Sequence, residues 1–276
     1  MKKIKHFLNL NEISTRDIHK ILIKSHMLKK NYGKTKMKKK QILAMIFEKP
    51  STRTRVSFEV GMKQLNGDVV ILDPADTQLG RGESLQDTIK VLGKYVDVIM
   101  YRGSDEKVLY EMTQFSEVPI INGLTDTSHP CQILADIMTL QEKFTKVNNI
   151  KICWLGDGNN VCNSWIHACL HFDFNFSISC PKGFFPDESL IKETNTNKIK
   201  IFEDPEQAVF NSDVIITDTW NSMGMQKDLK TLKKFKKFQI NSSILKKTKK
   251  DTYFLHCLPA HRGQEVTDEI IDGKNS

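Results

Sequence analysis

Gln41-Ile42-Leu43-Ala44-Met45-Ile46-Phe47-Glu48-Lys49-Pro50-Ser51-Thr52-Arg53-Thr54-Arg55-Val56-Ser57-Phe58-Glu59 is the stretch whose reading decides the fold. Gln41 to Ile46 form an apolar run of the length expected for a buried parallel strand. Beyond it Phe58, Met62 and Leu65 recur at helical spacing until Asn66-Gly67 closes the segment. Ser51 to Thr54 therefore stand where a strand hands over to a helix. The first backbone N–H groups of a helix lack partners and its dipole is positive there, which makes the turn an anion site. A helix cap needs one side-chain oxygen. Ser51 to Arg55 supply five consecutive donor-bearing side chains, and the excess points to a phosphate-bearing ligand.

The same strand-then-helix alternation continues outward. Ser14-Thr15-Arg16-Asp17 resembles a capping box and opens a helix with Ile18, Ile21, Leu22 and Leu28 on its apolar face, ended by Asn31-Tyr32-Gly33. Val69–Leu72, Val96–Tyr101 and Val118–Gly123 are further strand candidates. Ser84 with Asp87 reads as another helix start, after a polar loop from Asp73. A long helix follows Ser128-His129-Pro130. The pattern then restarts with strands at Ile150–Leu155, Phe176–Cys180, Val214–Thr217 and Thr252–His256, and a helix is expected to begin near Asn163. The expectation is an α/β protein of two doubly wound parallel-sheet domains, residues 1–145 and 146–276, with an active-site cleft between them.

Composition narrows the function. The chain has 276 residues, 39% of them hydrophobic and 27% charged, which suits a soluble globular protein. No apolar run approaches a membrane-spanning length, and the basic start at Met1 lacks the features of a signal peptide. The net charge of +8 lies largely in Lys34–Lys40 and Lys230–Lys250, without interleaved arginine and aromatic residues. Solvated lysine-rich faces account for it better than a nucleic-acid groove. Six cysteines with no CxxC or zinc-finger spacing fit reduced thiols in a cytoplasm.

Several side chains stand where chemistry is expected. Arg102 follows the third strand, and the carboxyl end of a parallel strand faces the ligand crevice. His129 and Gln132 are three apart at a helix start, so both can face one ligand; Pro130 suits the first turn. Imidazole can donate to an oxyanion and carboxamide can bond an amide nitrogen. Gly156-Asp157-Gly158 lacks the third glycine and the later acidic residue of a dinucleotide loop. Asp218, after the strand Val214–Thr217, can hold an α-ammonium group, with Ser222 and the Met223 backbone near a carboxylate. Asp218 is equally explicable as an Asx turn. Leu258-Pro259 exposes carbonyls because proline has no N–H. Cys257 is either a buried small side chain or a catalytic contact or proton partner for an amine substrate.

Five motifs together resemble the aspartate/ornithine carbamoyltransferase family, in its order and spacing. These are Ser51-Thr52-Arg53-Thr54-Arg55, His129-Pro130-Cys131-Gln132-Ile133-Leu134-Ala135-Asp136, Gly156-Asp157-Gly158-Asn159-Asn160, Asp218-Thr219-Trp220-Asn221-Ser222-Met223-Gly224 and His256-Cys257-Leu258-Pro259-Ala260-His261-Arg262-Gly263. The last two resemble the ornithine enzymes more than the aspartate ones. The resemblance implies carbamoyl transfer from carbamoyl phosphate to the δ-amine of L-ornithine in arginine metabolism, with no metal or organic cofactor. It implies that Ser51, Thr52, Arg53 and Thr54 hold phosphate, that Arg102, His129 and Thr54 polarise the carbonyl, and that Gln132, Cys257 and Leu258 orient the carbamoyl nitrogen. Asn160, Asp218, Ser222 and Met223 would grip ornithine. It further implies a homotrimer with Gly82-Glu83-Ser84 near an interface, and that the family's further C-terminal helix, which bears one more arginine, is missing from this chain, which stops at Ser276. Rival expectations are a putrescine-type carbamoyltransferase and a non-catalytic phosphate-binding relative.

Overall fold

The computed structural model describes residues 4–73, 82–144, 146–194, 196–221 and 227–276. The chain forms two compact units, Met1–Leu134 and Ala135–Ser276.

The first unit is built on four strands, β1 (Ile42–Phe47), β2 (Asp68–Leu72), β3 (Val98–Arg102) and β4 (Ile120–Leu124). All pair in parallel, in the order β2-β1-β3-β4. The helices are α1 (Thr15–Lys30), α2 (Thr52–Gln64), α3 (Leu85–Tyr95), α4 (Glu106–Phe115) and α5 (Pro130–Lys143), the last running across the division between the units. Strand side chains alternate, so β1 feeds two cores at once. Ala44 and Ile46 join Ile89, Ile99, Leu109 and Met112 on one face, and Leu43, Met45 and Phe47 join Met100, Phe58 and Met62 on the other. That double burial explains why β1 reads as a continuous apolar run. The helix starts carry the expected caps: Ser14, Ser51 and Ser84 each accept the N–H of the third residue into the helix.

The second unit holds β5 (Lys151–Leu155), β6 (Asn175–Ser179), β7 (Ile199–Phe202), β8 (Val214–Thr217) and β9 (Tyr253–His256), all parallel in the order β7-β6-β5-β8-β9. Around them lie α6 (Asn160–Ala168), α7 (Glu188–Glu193), α8 (Pro205–Val209), α9 (Leu229–Phe235), α10 (Ser242–Leu245) and α11 (Asp268–Ile271). Cys153, Leu155, Ile215 and Phe254 pack with Val209, Ile240, Val266 and Ile270.

Two details differ from the sequence expectations. A fifth strand, β7, lies at the edge of the second sheet, where Lys200 and Ile201 are exposed and no buried apolar run announces it. Helix α6 begins at Asn160 and not near Asn163, because the Asn159 side chain accepts the N–H groups of Val161 and Cys162 and starts the helix three residues earlier. Each strand order also reverses once. In the first sheet the chain leaves β1 for β2 and returns to β3 on the other side; in the second it leaves β5 for β6 and β7 and returns to β8. The carboxyl ends of β1 and β3, and of β5 and β8, are thus the switch points where open α/β sheets bind ligands.

Candidate active site

In the first unit the switch point is occupied by the Ser51 turn and Arg102, whose strand residues Phe47 and Arg102 are partners in register. Ser51 Oγ accepts the Thr54 N–H at 3.3 Å, capping α2. Thr54 is buried, and its Oγ1 accepts a hydrogen bond from Arg102 Nη1 at 3.0 Å. A buried guanidinium is thereby fixed on the mouth of a helix N-terminus, which concentrates positive potential at one point. Thr52 and Arg53 are exposed at the same turn, while Arg55 turns toward Asp73, 3.7 Å away. Of the five donors, Arg55 is thus engaged at the surface.

His129 immediately precedes α5, and Gln132 lies in its first turn, partly buried. A local network fixes this entry. Ser128 is fully buried; its Oγ donates to Glu106 Oε1 at 3.1 Å and accepts from Asn122 Nδ2 at 3.0 Å, and its N–H bonds Thr125 Oγ1. Burial, and then the positive charge of Arg102, push the His129 imidazole down to about 3. At neutral pH it is uncharged, so it acts as a neutral hydrogen-bond donor beside a permanent cation.

In the second unit the turn after β5 is shaped by two glycines. Gly156 has φ +125°, and a Cβ there would sit 3.1 Å from Thr217 Oγ1. A Cβ on Gly158 would collide with Pro186 N at 2.4 Å. The glycines serve a tight turn against neighbouring chain. Asp157 is paired with Lys227 at 2.6 Å, both partly buried, and Lys227 Nζ also lies 5.4 Å from the ring centres of Phe184 and Phe235. Burial raises the Asp157 carboxyl, and the Lys227 pairing reverses only part of that rise.

Asp218, 8% exposed at the carboxyl end of β8, is the centre of this half. Its Oδ2 accepts from Asn159 Nδ2 at 2.7 Å, and its Oδ1 accepts the Thr219 N–H at 2.8 Å and the Cys257 thiol at 3.0 Å. Asn159 escaped sequence reasoning; its signal was a strong N-cap residue directly before the helix, misread because the start was placed too late. Asn160 is the first residue of α6. Cys257 is partly buried, and Leu258, 44% exposed, has φ +59° ahead of a cis bond to Pro259. Asp218, His256 and Cys257 each place a metal-ligand atom within 4.8 Å of the others. Both nitrogens of His256 are already engaged in hydrogen bonds to Leu258 N–H and Glu265, so its donors are spent. Ser222 and Met223 lie outside the described residues.

Known proteins are similar to both units of the chain. Residues 5–142 fit the profile of the aspartate/ornithine carbamoyltransferase carbamoyl-P binding domain, and residues 148–276 that of the Asp/Orn binding domain. The ornithine carbamoyltransferase of Nitrosococcus oceani is 43% identical over 99% of this chain and 91% of its own length. That of Ruthia magnifica is 45% identical over 99% and 92%. Among solved structures, the Pyrococcus furiosus ornithine carbamoyltransferase superposes with a TM-score of 0.92 at 43% identity, covering 98% of this chain and 90% of that one. The anabolic ornithine carbamoyltransferase of Campylobacter jejuni gives 0.91 at 37%, covering 98% and 91%. With both domain profiles matched in order across nearly all of its residues, the chain belongs to the aspartate/ornithine carbamoyltransferase family.

Proposed function

We propose that the protein transfers the carbamoyl group of carbamoyl phosphate to the δ-amine of L-ornithine, giving L-citrulline and phosphate, a step of arginine biosynthesis. The choice of ornithine over aspartate is carried by the buried Asp218 carboxylate with the Cys257 thiol bonded to it. A carboxylate there suits the α-ammonium group of an amino acid with an uncharged nucleophilic amine. Asn160, Ser222 and Met223 complete the grip on ornithine.

Ser51, Thr52, Arg53 and Thr54 hold the phosphate and stabilise it as it leaves. The amine lone pair attacks the carbamoyl carbon, and the carbonyl oxygen becomes an oxyanion. Arg102, neutral His129 and Thr54 donate to that oxygen; one such donor is typically worth about 3 kcal/mol. The bond from carbon to the phosphate oxygen then breaks, phosphate departs with the electron pair, and the attacking nitrogen loses a proton. Gln132 and the Cys257 and Leu258 carbonyls orient the carbamoyl nitrogen, so the carbon faces the amine. Since an ammonium ion has no lone pair, the rate should climb with pH toward the amine's own pKa.

A homotrimer in the cytoplasm accompanies this reading, with Gly82-Glu83-Ser84 near a subunit interface. Val56 and Val60 on α2 and Val70 on β2 are large apolar side chains exposed in the single chain, which suits burial in an assembly. Light scattering of the purified protein at three times the monomer mass supports the trimer; a monomer mass removes it. For the chemistry, the purified chain is offered carbamoyl phosphate with ornithine, putrescine or aspartate in turn. Citrulline from ornithine alone supports the assignment. Faster turnover of putrescine, or no product from any amine, rejects it.

A further inference from the structure

We propose that Glu265 is a positioning residue for the Cys257-Leu258 turn: a buried carboxylate that, acting through His256, holds the Leu258 backbone where its carbonyl is presented to the carbamoyl nitrogen. The role of that carbonyl rests on the function proposed above; the clamp itself rests on geometry.

Leu258 needs holding. Its φ of +59° lies in the left-handed region, which a residue with a Cβ seldom enters. Its own N–H donates to His256 Nδ1 at 2.9 Å. A ring nitrogen that accepts carries no proton, so the proton of the neutral imidazole resides on Nε2. Nε2 lies 3.3 Å from Glu265 Oε1 and donates to it. The same oxygen accepts the backbone N–H of His261. One carboxylate oxygen thus holds both sides of the turn from His256 to His261. On the far side, His261 Nδ1 is 2.7 Å from Thr219 Oγ1, next to Asp218.

The clamp is rigid because its anchor is. The His256 side chain is 2% exposed and that of Glu265 0%. The Glu265 carbonyl accepts the Ile240 N–H at 2.8 Å, and Val266 bridges to both Ile240 and Arg262. Simple core filling does not call for a glutamate: an unpaired buried carboxylate destabilises the fold, and an apolar side chain would fill the space without that penalty. Here both bonds to Oε1 go to the turn, while Oε2 receives none among the described residues and lies 4.0 Å from His261 Nδ1. The carboxylate is explained by what it holds.

The test compares wild type, Glu265→Gln and Glu265→Leu by ¹⁵N NMR of the imidazole nitrogens and by steady-state kinetics. Glutamine keeps an acceptor oxygen for both bonds, and leucine removes it. Wild type and E265Q should show His256 protonated on Nε2 alone, and E265Q should keep kcat within about threefold. E265L should lose that tautomer and about 10- to 100-fold in kcat, while the KM for ornithine moves less than about threefold. The proposal is overturned by an Nδ1-protonated His256 in wild type, by folded E265L with wild-type kcat, or by E265Q as impaired as E265L. Should E265L not fold, the wild-type tautomer and the kcat of E265Q decide. A wild-type chain that makes no product would remove the proposed function, and the tautomer would still decide the clamp.

Discussion

Acid should destabilise this protein through His129, and the size of the effect follows from its surroundings. Folding lowers the imidazole from the usual 6.5 to about 3, first through burial and then through Arg102. The unfolded chain therefore takes up a proton that the native state refuses once pH falls below about 6.5. Stability from this group is complete above that value and is lost progressively as pH falls toward 3. Each pH unit across the window is worth about 1.4 kcal/mol, so on going from pH 7.5 to pH 5 the native state forfeits about 2 kcal/mol at this one site. His129→Gln keeps an uncharged polar group of similar size and abolishes the titration. Burial also lowers His167, to about 4, and that share persists in both proteins. The comparison is thus a double difference, in which His167 and the raised carboxyls of Glu106 and Asp157 cancel. Urea unfolding at pH 7.5 and pH 5.0 should be followed by far-ultraviolet circular dichroism, since Trp154, Trp165 and Trp220 all belong to the second unit. Wild type should lose about 2 kcal/mol more than H129Q on acidification. Parallel losses in the two proteins, or an imidazole that titrates near 6 by NMR, would refute the reasoning.

Three further outcomes are expected. Arg102→Lys keeps the charge but not the forked geometry that reaches Thr54, and kcat should fall about 10²-fold with ornithine binding unchanged; equal loss of ornithine affinity would argue against an oxyanion role. Asn159→Ala removes the α6 cap and the bond to Asp218, so stability should fall by about 1 kcal/mol and the KM for ornithine should rise at least about tenfold. An equal rise for carbamoyl phosphate would contradict that. Lys227→Met strands the Asp157 carboxylate and should cost about 2 kcal/mol in thermal unfolding followed by tryptophan fluorescence; adding Asp157→Asn should recover most of it, and a purely additive double variant would show the pair is uncoupled.

The parallel strands and capped helix starts were legible because their causes are local. Val214–Thr217 is buried along its whole length and reads as an unbroken apolar run, and Ser51 caps its helix through a bond to a residue three positions away. Function was legible in motifs because several side chains crowd one strand end. What sequence hid is non-local. Asn159 matters through a carboxylate 59 residues away, and Glu265 through an imidazole whose proton position depends on a third residue. Nothing in the spacing of these residues distinguishes a clamp from a surface amide or a solvated acid. Arg55 shows the converse: a motif arginine at the expected place that the fold pairs with Asp73.

Strand β7 carries a consequence for life in a crowded cell. Outermost among the described residues, it offers one row of backbone donors and acceptors with no strand partner there, and Ile199, Ile201 and Phe202 would make an adhesive template. Lys200, exposed in the middle of that row, is the gatekeeper: docking a second strand there would bury its ammonium group or set like charges side by side. Its value is invisible to a melting curve and appears only as colloidal behaviour, in how long a concentrated solution stays clear.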